Sequence, residues 1–261
     1  MASLNYQGLN VEYAQSGSGS DLLLIHSLLT EMSVYDKVLP DLSGQHRVTT
    51  INLPGFGASS PAELNGLSAV AGHVAGVMAA LQLPASTDVF ANGFGAFVAL
   101  QLAIDHGAQF RRLLVADCVP AFPEAGRAPF RGMAQKVKTE GMGAVLDAAI
   151  GRMFPPTYQQ AEPAVVQERK DRLAKVDAQC FARACLALAE MDLSPQLPSI
   201  KNPTRVMCGA LDLTTVPALA QEVARLIPGA EYHEIVNSGH CPMLEQPDDL
   251  VRLITEFIAP R

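Results

Sequence analysis

Val89-Phe90-Ala91-Asn92-Gly93-Phe94-Gly95-Ala96 is the stretch on which the reading of this chain turns. A β-prone run from Thr87 to Phe90 breaks at small residues, and Phe94 to Ala103 then opens a helical pattern. A strand, a turn too tight for bulky side chains and an immediate helix make up the nucleophile elbow, usually written G-x-S-x-G. The frame here is Ala91-Asn92-Gly93-Phe94-Gly95, so glycine holds the position of the attacking serine. The turn is kept and its hydroxyl is missing.

Upstream of this junction, Leu4 to Tyr6 and Asn10 to Gln15 read as a β-hairpin around Gln7-Gly8-Leu9. Leu22 to Ile25 is a run of four apolar residues between turn formers, the signature of a strand covered on both faces. Val34 to Leu42 is expected to be a short helix, Arg47 to Ile51 a strand, and Asn52 to Gly57 a loop set by its proline and glycines. Leu67, Val70, Val74, Val77, Met78 and Leu81 recur at helical intervals. Downstream, a helix reaching His106 is followed by a strand, Leu113 to Ala116. Strands alternating with helices specify a mostly parallel sheet with right-handed crossovers.

That alternation stops at Pro120. Residues 121–190 carry helical patterns only, among them Met142 to Met153, Val165 to Val176 and Cys180 to Glu190. The sheet pattern resumes at Thr204 to Cys208, then a helix from Pro217 to Leu226, a strand from Glu231 to Val236 and a last helix near Asp248 to Ile258. The expected organisation is one α/β core built from 1–120 and 191–261, with 121–190 inserted as a helical lid. The lid holds 10 Lys/Arg against 8 Asp/Glu, the rest 9 against 18. A mildly basic lid over an acidic body suits an anionic substrate, but solvated helix faces are the better account of it.

The 261 residues are 49% apolar and 17% charged, which fits a compact globule and not a disordered chain. A net charge of −7 argues against nucleic acid as a partner, and no apolar run is long enough for a membrane span. The start of the sequence has no basic region followed by an apolar core, and the five scattered cysteines form no C-x-x-C pair. Reduced thiols in the cytoplasm, no metal and no cofactor are the expectation. The partner expected is a small-molecule substrate, with a homodimer left open.

Two further pieces follow the elbow. Gly209-Ala210-Leu211-Asp212 puts a carboxylate just past a strand, and Asn237-Ser238-Gly239-His240 puts an imidazole just past the next. The order nucleophile, acid, histidine is that of the α/β-hydrolases, and the sequence resembles that superfamily over almost its whole length. His26-Ser27 stands where the family usually has His-Gly; Leu53-Pro54-Gly55-Phe56-Gly57 and Gly239-His240 leading to Glu245-Gln246-Pro247 are further matches. Within the superfamily the lid looks most like that of 3-oxoadipate enol-lactonases, on Gly141-Met142, Ala148-Ala149, Arg152-Met153-Phe154, Cys185 and Ala189 to Leu193. Met153 stands where those lactonases usually have tryptophan.

The resemblance implies that His240 is the general base, with Asp212 orienting it; Asp117 supplies the acid in some relatives. It implies oxyanion donation from the backbone N–H groups of Phe94 and Leu28. Substrate contact falls to His26, Ser27, Asn92, Arg152 and Phe154. Each has a plainer reading: His26 as a hydrogen-bonded loop organiser, Asp117 as a turn, Arg152 as a solvated charge. Ser27, Cys118 and Cys241 also lie near strand ends as stand-ins for the missing nucleophile.

Glycine adopts the left-handed angles of the elbow at low cost, whereas other residues pay roughly 1–3 kcal/mol there. Its absent side chain is expected to leave room for a water beside His240, and Gly93→Ser is expected to supply a working nucleophile. Three classes of function fit. One is an enzyme whose His240–Asp212 pair acts on water or on a small ester, enol-lactone or carbonyl compound. The others are a ligand-binding protein on a hydrolase scaffold and an inactivated variant of a serine esterase or lactonase.

Overall fold

The structure, a computed structural model, describes residues 1–259. Eight strands form one sheet: β1 (Ala2–Tyr6), β2 (Leu9–Ser16), β3 (Ser20–Ile25), β4 (His46–Ile51), β5 (Asp88–Asn92), β6 (Arg112–Ala116), β7 (Thr204–Gly209) and β8 (Glu231–Ile235). Their order is β1-β2-β4-β3-β5-β6-β7-β8, with β1–β2 and β2–β4 antiparallel and every other pair parallel. The hairpin closes on Gln7-Gly8, both at positive φ, with Tyr6 paired to Leu9. Two left-handed residues match the twist of the strands they join.

The fully buried run Leu22 to Ile25 sits mid-sheet, flanked by β4 and β5. Burying four such side chains stabilises the fold by roughly 1.5–3 kcal/mol each. Because β3 and β5 to β8 run parallel, the loops after them gather at one edge, where open α/β sheets place their sites.

Eleven α-helices are described: α1 (Leu39–Ser43), α2 (Gly66–Ala80), α3 (Phe94–His106), α4 (Glu124–Glu140), α5 (Leu146–Met153), α6 (Pro156–Ala161), α7 (Pro163–Leu173), α8 (Ala178–Glu190), α9 (Pro217–Leu226), α10 (Pro242–Glu245) and α11 (Pro247–Ile258). The single helix expected over Val34 to Leu42 is instead a 3₁₀ turn, Met32–Tyr35, followed by α1. Pro40 explains the break: it has no N–H for the helix interior and is tolerated in the first turn.

Between β6 and β7 lie α4 to α8, tied back to the core by an isolated bridge between Ala121 and Asp192. The longest of them, α4, falls in the stretch expected to be helical, although Pro129 lies inside it. Phe130, Met133, Ala134 and Val137 nonetheless form its buried stripe, spaced as one helical face demands.

At the elbow, Gly93 has φ 54° and ψ −121° between β5 and α3. Two residues on, α3 packs so close to β3 that a Cβ on Gly95 would lie 2.5 Å from both Ile25 O and His26 O. Glycine at 95 therefore sets how deeply α3 seats on the sheet.

Candidate active site

His240 comes from the loop after β8, and Asp212 from the loop after β7. Nδ1 of His240 lies 2.7 Å from Oδ2 of Asp212, and both side chains are buried. The Asp212 carboxylate is held on its other side: Oδ1 accepts from the N–H groups of Thr214 (2.7 Å) and Thr215 (3.0 Å), and the Thr215 hydroxyl donates to Oδ2. Burial works against both charges. The carboxylate outweighs it at His240, lifting the imidazole from 6.5 to about 9. Burial likewise opposes ionisation of Asp212, but the imidazolium and the Thr215 donors prevail and hold it at about 2. The pair therefore rests as a buried ion pair at neutral pH.

The backbone around His240 is braced by a residue the sequence marked only as part of a motif. Glu245 accepts from the N–H of Gly239 (2.8 Å) and of Cys241 (2.9 Å), one residue on each side of the imidazole. The helical segment closes over the same loop, with His240 N–H donating to Met153 O at 3.2 Å and the Thr214 hydroxyl to Arg152 O at 3.3 Å.

Asp117 does not bind the imidazole. It has φ 57°, and its carboxyl accepts from the Asn92 amide (2.7 Å) and from Gly209 N–H (2.9 Å). Burial first, and then the nearby Asp212, push its pKa well above the usual carboxylate range. The acid facing His240 is Asp212. Asp117, Asp212 and His240 bring one ligand atom each within 4.8 Å of one another. Both carboxylates are already committed to the N–H and O–H donors named above, which makes a poor donor set for a cation.

Beyond Nε2 of His240 lies a cavity lined by Ser27, Leu28, Gly93, Phe94 and Arg152, among others. Its free volume, about 20 Å³, holds a single water and no ester. Of the expected substrate contacts, Ser27 and Arg152 reach it, as do the oxyanion positions Leu28 and Phe94. His26, Asn92 and Phe154 do not line it. His26 is locked as a loop organiser: Nδ1 donates to Ser27 O (2.8 Å), Nε2 accepts from Leu53 N–H (3.0 Å), and burial drives its pKa to about 4. Asn92 spends its amide on Asp117 and on His240 O, beneath the site. Phe154 is buried and stacked on Tyr158 at 4.8 Å. Met153 is buried as well, its carbonyl being what meets the histidine loop.

The space expected to stand empty at Gly93 is occupied. A Cβ placed there would overlap Ser27 Oγ and stand 2.9 Å from both Ser27 Cβ and His240 Nε2. A serine at 93 therefore does not drop into vacant room, because the hydroxyl of residue 27 already fills it. Cys118 and Cys241, the other stand-ins, are buried with thiols pushed far up, chiefly by burial. Thr215 and Glu245 were missed as site residues. The adjacent pair Thr214-Thr215 after Asp212 was the only signal of the first, through its cap-like spacing.

The sequence and fold have known counterparts. The alpha/beta hydrolase family model matches residues 22–253. The chain is 28% identical over 248 residues to 3-oxoadipate enol-lactonase 2 of Acinetobacter baylyi, covering 94% of this chain and 91% of that protein. It is 23% identical to a pimeloyl-[acyl-carrier protein] methyl ester esterase of Vibrio vulnificus, over 95% of this chain and 98% of the other. Among solved structures, the enol-lactonase from Burkholderia xenovorans LB400 superposes with a TM-score of 0.92 at 27% identity, covering 99% of this chain and all of that one. With the elbow, the sheet order and the buried His–Asp pair in place, the chain belongs to the alpha/beta hydrolase family, and lactonases and esterases are among its relatives.

Proposed function

We propose that this protein hydrolyses small esters or lactones that carry a carboxylate, with His240 as general base and Asp212 as its orienting partner. One observation carries the reading: a buried imidazole whose Nδ1 is fixed on a carboxylate at 2.7 Å while its Nε2 faces the elbow. A binding protein on a retired scaffold has no use for a buried ion pair, which is costly to desolvate. The backbone N–H groups of Phe94, at the start of α3, and of Leu28 are suited to stabilise the oxyanion that forms when an ester carbonyl is attacked.

Arg152 supplies the preference for an anion. It lines the cavity, stacks over the Phe130 ring at 5.5 Å and makes no ion pair among the described residues. Burial lowers its pKa, so a substrate carboxylate that pairs with it relieves a desolvated charge. The helices between β6 and β7 act as a lid, since the cavity they close is too small for any substrate.

Turnover of lactones, small esters and β-dicarbonyl compounds by the unaltered chain tests this reading. Hydrolysis that His240→Ala removes supports it. Equal rates with and without His240 would remove it as the base, and tight ligand binding without turnover would transfer the protein to the binding class.

A further inference from the structure

If His240 is a base, something must receive its action, and the elbow itself offers no hydroxyl. The structure points to one 66 residues upstream in the chain. Ser27 is buried, lines the cavity with Gly93 and His240, and projects Oγ into the volume that a side chain at 93 would fill. Ser27 Oγ and His240 Nε2 thus flank one point in space, where the first carbon of the missing nucleophile would stand. The two positions read as an exchange: glycine where the family has serine, and serine where it usually has glycine.

We propose that Ser27 is the nucleophile of this hydrolase, acylated during turnover in place of the absent residue at 93. The inference rests on the hydrolase reading given above.

The backbone that carries Ser27 is unusually well held. Its N–H donates to Thr30 Oγ1 (3.1 Å), and its carbonyl accepts from His26 Nδ1 (2.8 Å) and from Thr30 N–H (3.4 Å). Oγ accepts only a long bond from Phe94 N–H, at 3.4 Å, and its proton has no acceptor among the described residues. A fixed backbone with an uncommitted hydroxyl is what a nucleophile requires, and the point that Oγ overlaps lies 2.9 Å from Nε2. Nucleophile and base are often loosely paired before substrate arrives. The oxyanion donors suit the exchange too. In the elbow the donor is the N–H of the residue after the nucleophile. With Ser27 attacking, Leu28 N–H takes that part and Phe94 N–H becomes its companion.

The steps balance without any outside reagent. Neutral His240 takes the Oγ proton on Nε2 as Oγ bonds to the carbonyl carbon, and the carbonyl π pair moves onto oxygen. When that pair returns, the bond to the alcohol oxygen breaks, and the leaving oxygen takes the proton from Nε2. Water then attacks the acyl carbon, giving its proton to Nε2, and Ser27 departs with that proton. The sum is ester plus water to acid plus alcohol.

The test treats the wild-type chain with a fluorophosphonate and, separately, with p-nitrophenyl acetate, followed by intact mass and peptide mapping. One adduct per chain on the peptide holding Ser27, and none in His240→Ala, is the expected result. Ser27→Ala should lose at least about 10³-fold in kcat/KM, the scale seen when a nucleophile is removed. If Ser27→Ala stays within tenfold of wild type while His240→Ala is dead, water deprotonated by His240 attacks the carbonyl directly and the proposal falls, although the hydrolase reading stands. An adduct on any other residue also overturns it. Should wild type show neither turnover nor adduct on any ester or lactone, both readings fail together. Mapping of the unaltered chain decides the matter even if Ser27→Ala does not fold.

Discussion

At the scale of single residues, the proposed role of His240 as base makes its charge the control on the chemistry. Its imidazole titrates at about 9, so below that pH it is protonated and unable to accept a proton from an attacking group. With a neutral ester, kcat/KM should therefore rise tenfold per pH unit through neutrality and level off only above about 9. Asp212→Asn removes the carboxylate that holds the proton on; the break in the profile should move down by more than one unit while the plateau falls. A wild-type profile already flat at neutral pH would show that the imidazole is not held charged. Stability follows the same signs. The folded pKa of His240 lies above its ordinary value, so its contribution is complete below about 6.5 and disappears as pH rises through 9; that of Asp212 disappears as pH falls through 2. Positions 27 and 93 should also be coupled. Gly93→Ser alone puts a Cβ at φ 54° against Ser27, costing roughly 1–3 kcal/mol of strain plus the overlap. Adding Ser27→Gly should return part of that loss, leaving an interaction of at least about 0.5 kcal/mol in a urea-denaturation cycle. Strict additivity would mean that Ser27 does not occupy the elbow.

At the scale of elements, the site is a set of strand ends held by local braces, and only part of this was legible beforehand. The strands were readable because Leu22 to Ile25 and Leu113 to Ala116 are apolar without interruption, and the elbow because small residues crowd between a strand and a helix. The His240–Asp212 pairing was readable from chain order together with the resemblance to the α/β-hydrolases. Contacts that depend on how loops converge were not. Nothing in the spacing of Ser27 and Gly93, or in the isolated Asn92 and Asp117, says that their side chains meet across separate strands. The bounds of α4 escaped because Pro129 breaks its local propensity while tertiary packing of Phe130 and Val137 overrides that loss. Glu245 is the brace most open to test. Its two carboxylate oxygens each take one N–H beside His240. Glu245→Gln has one carbonyl to offer and turns an amide N–H₂ on the other donor. One buried N–H is then unpaired, at a cost of roughly 1–3 kcal/mol. The melting temperature should fall by several degrees, and kcat should drop 10- to 100-fold with KM changing less, as the imidazole is misplaced more than the cavity. An unchanged kcat would show that the bond from His240 N–H to Met153 O suffices to hold the loop.

At the scale of the molecule, the proposed hydrolysis requires the helices between β6 and β7 to open, since the cavity beneath them takes one water. What fastens them is therefore what gates the site. One clasp is hydrophobic and lies inside, through Phe130, Met133 and Leu188 over the cavity. The other is ionic and lies on α7, far from the reacting atoms. Glu31, in the loop after β3, has Arg172 at 3.1 Å and Arg169 at 3.7 Å from Oε1, and its other oxygen accepts from Ser33 N–H at 2.9 Å. Glu31 and Arg169 are nearly as buried as the core; Arg172 is part-exposed. Glu168 also lies 2.9 Å from each arginine, so withdrawing Glu31 leaves them partly compensated and costs less than the roughly 3–5 kcal/mol of a fully orphaned buried charge. Glu31→Gln keeps the shape and the Ser33 contact but withdraws the charge, so the penalty should fall on the docking of α7 and leave the sheet intact. We expect faster limited proteolysis in the loops joining α5 to α8, with the main melting transition lowered by only a few degrees. Hydrolysis of longer acyl esters should gain relative to acetate esters, because the bulkier substrate needs the wider opening. Salt should reproduce the effect weakly in the wild type, through the exposed arginine alone, and not at all in the variant. If Glu31→Gln leaves both the cleavage pattern and the chain-length preference as they were, α7 is not the moving part, and opening must occur at α4 and α8 instead.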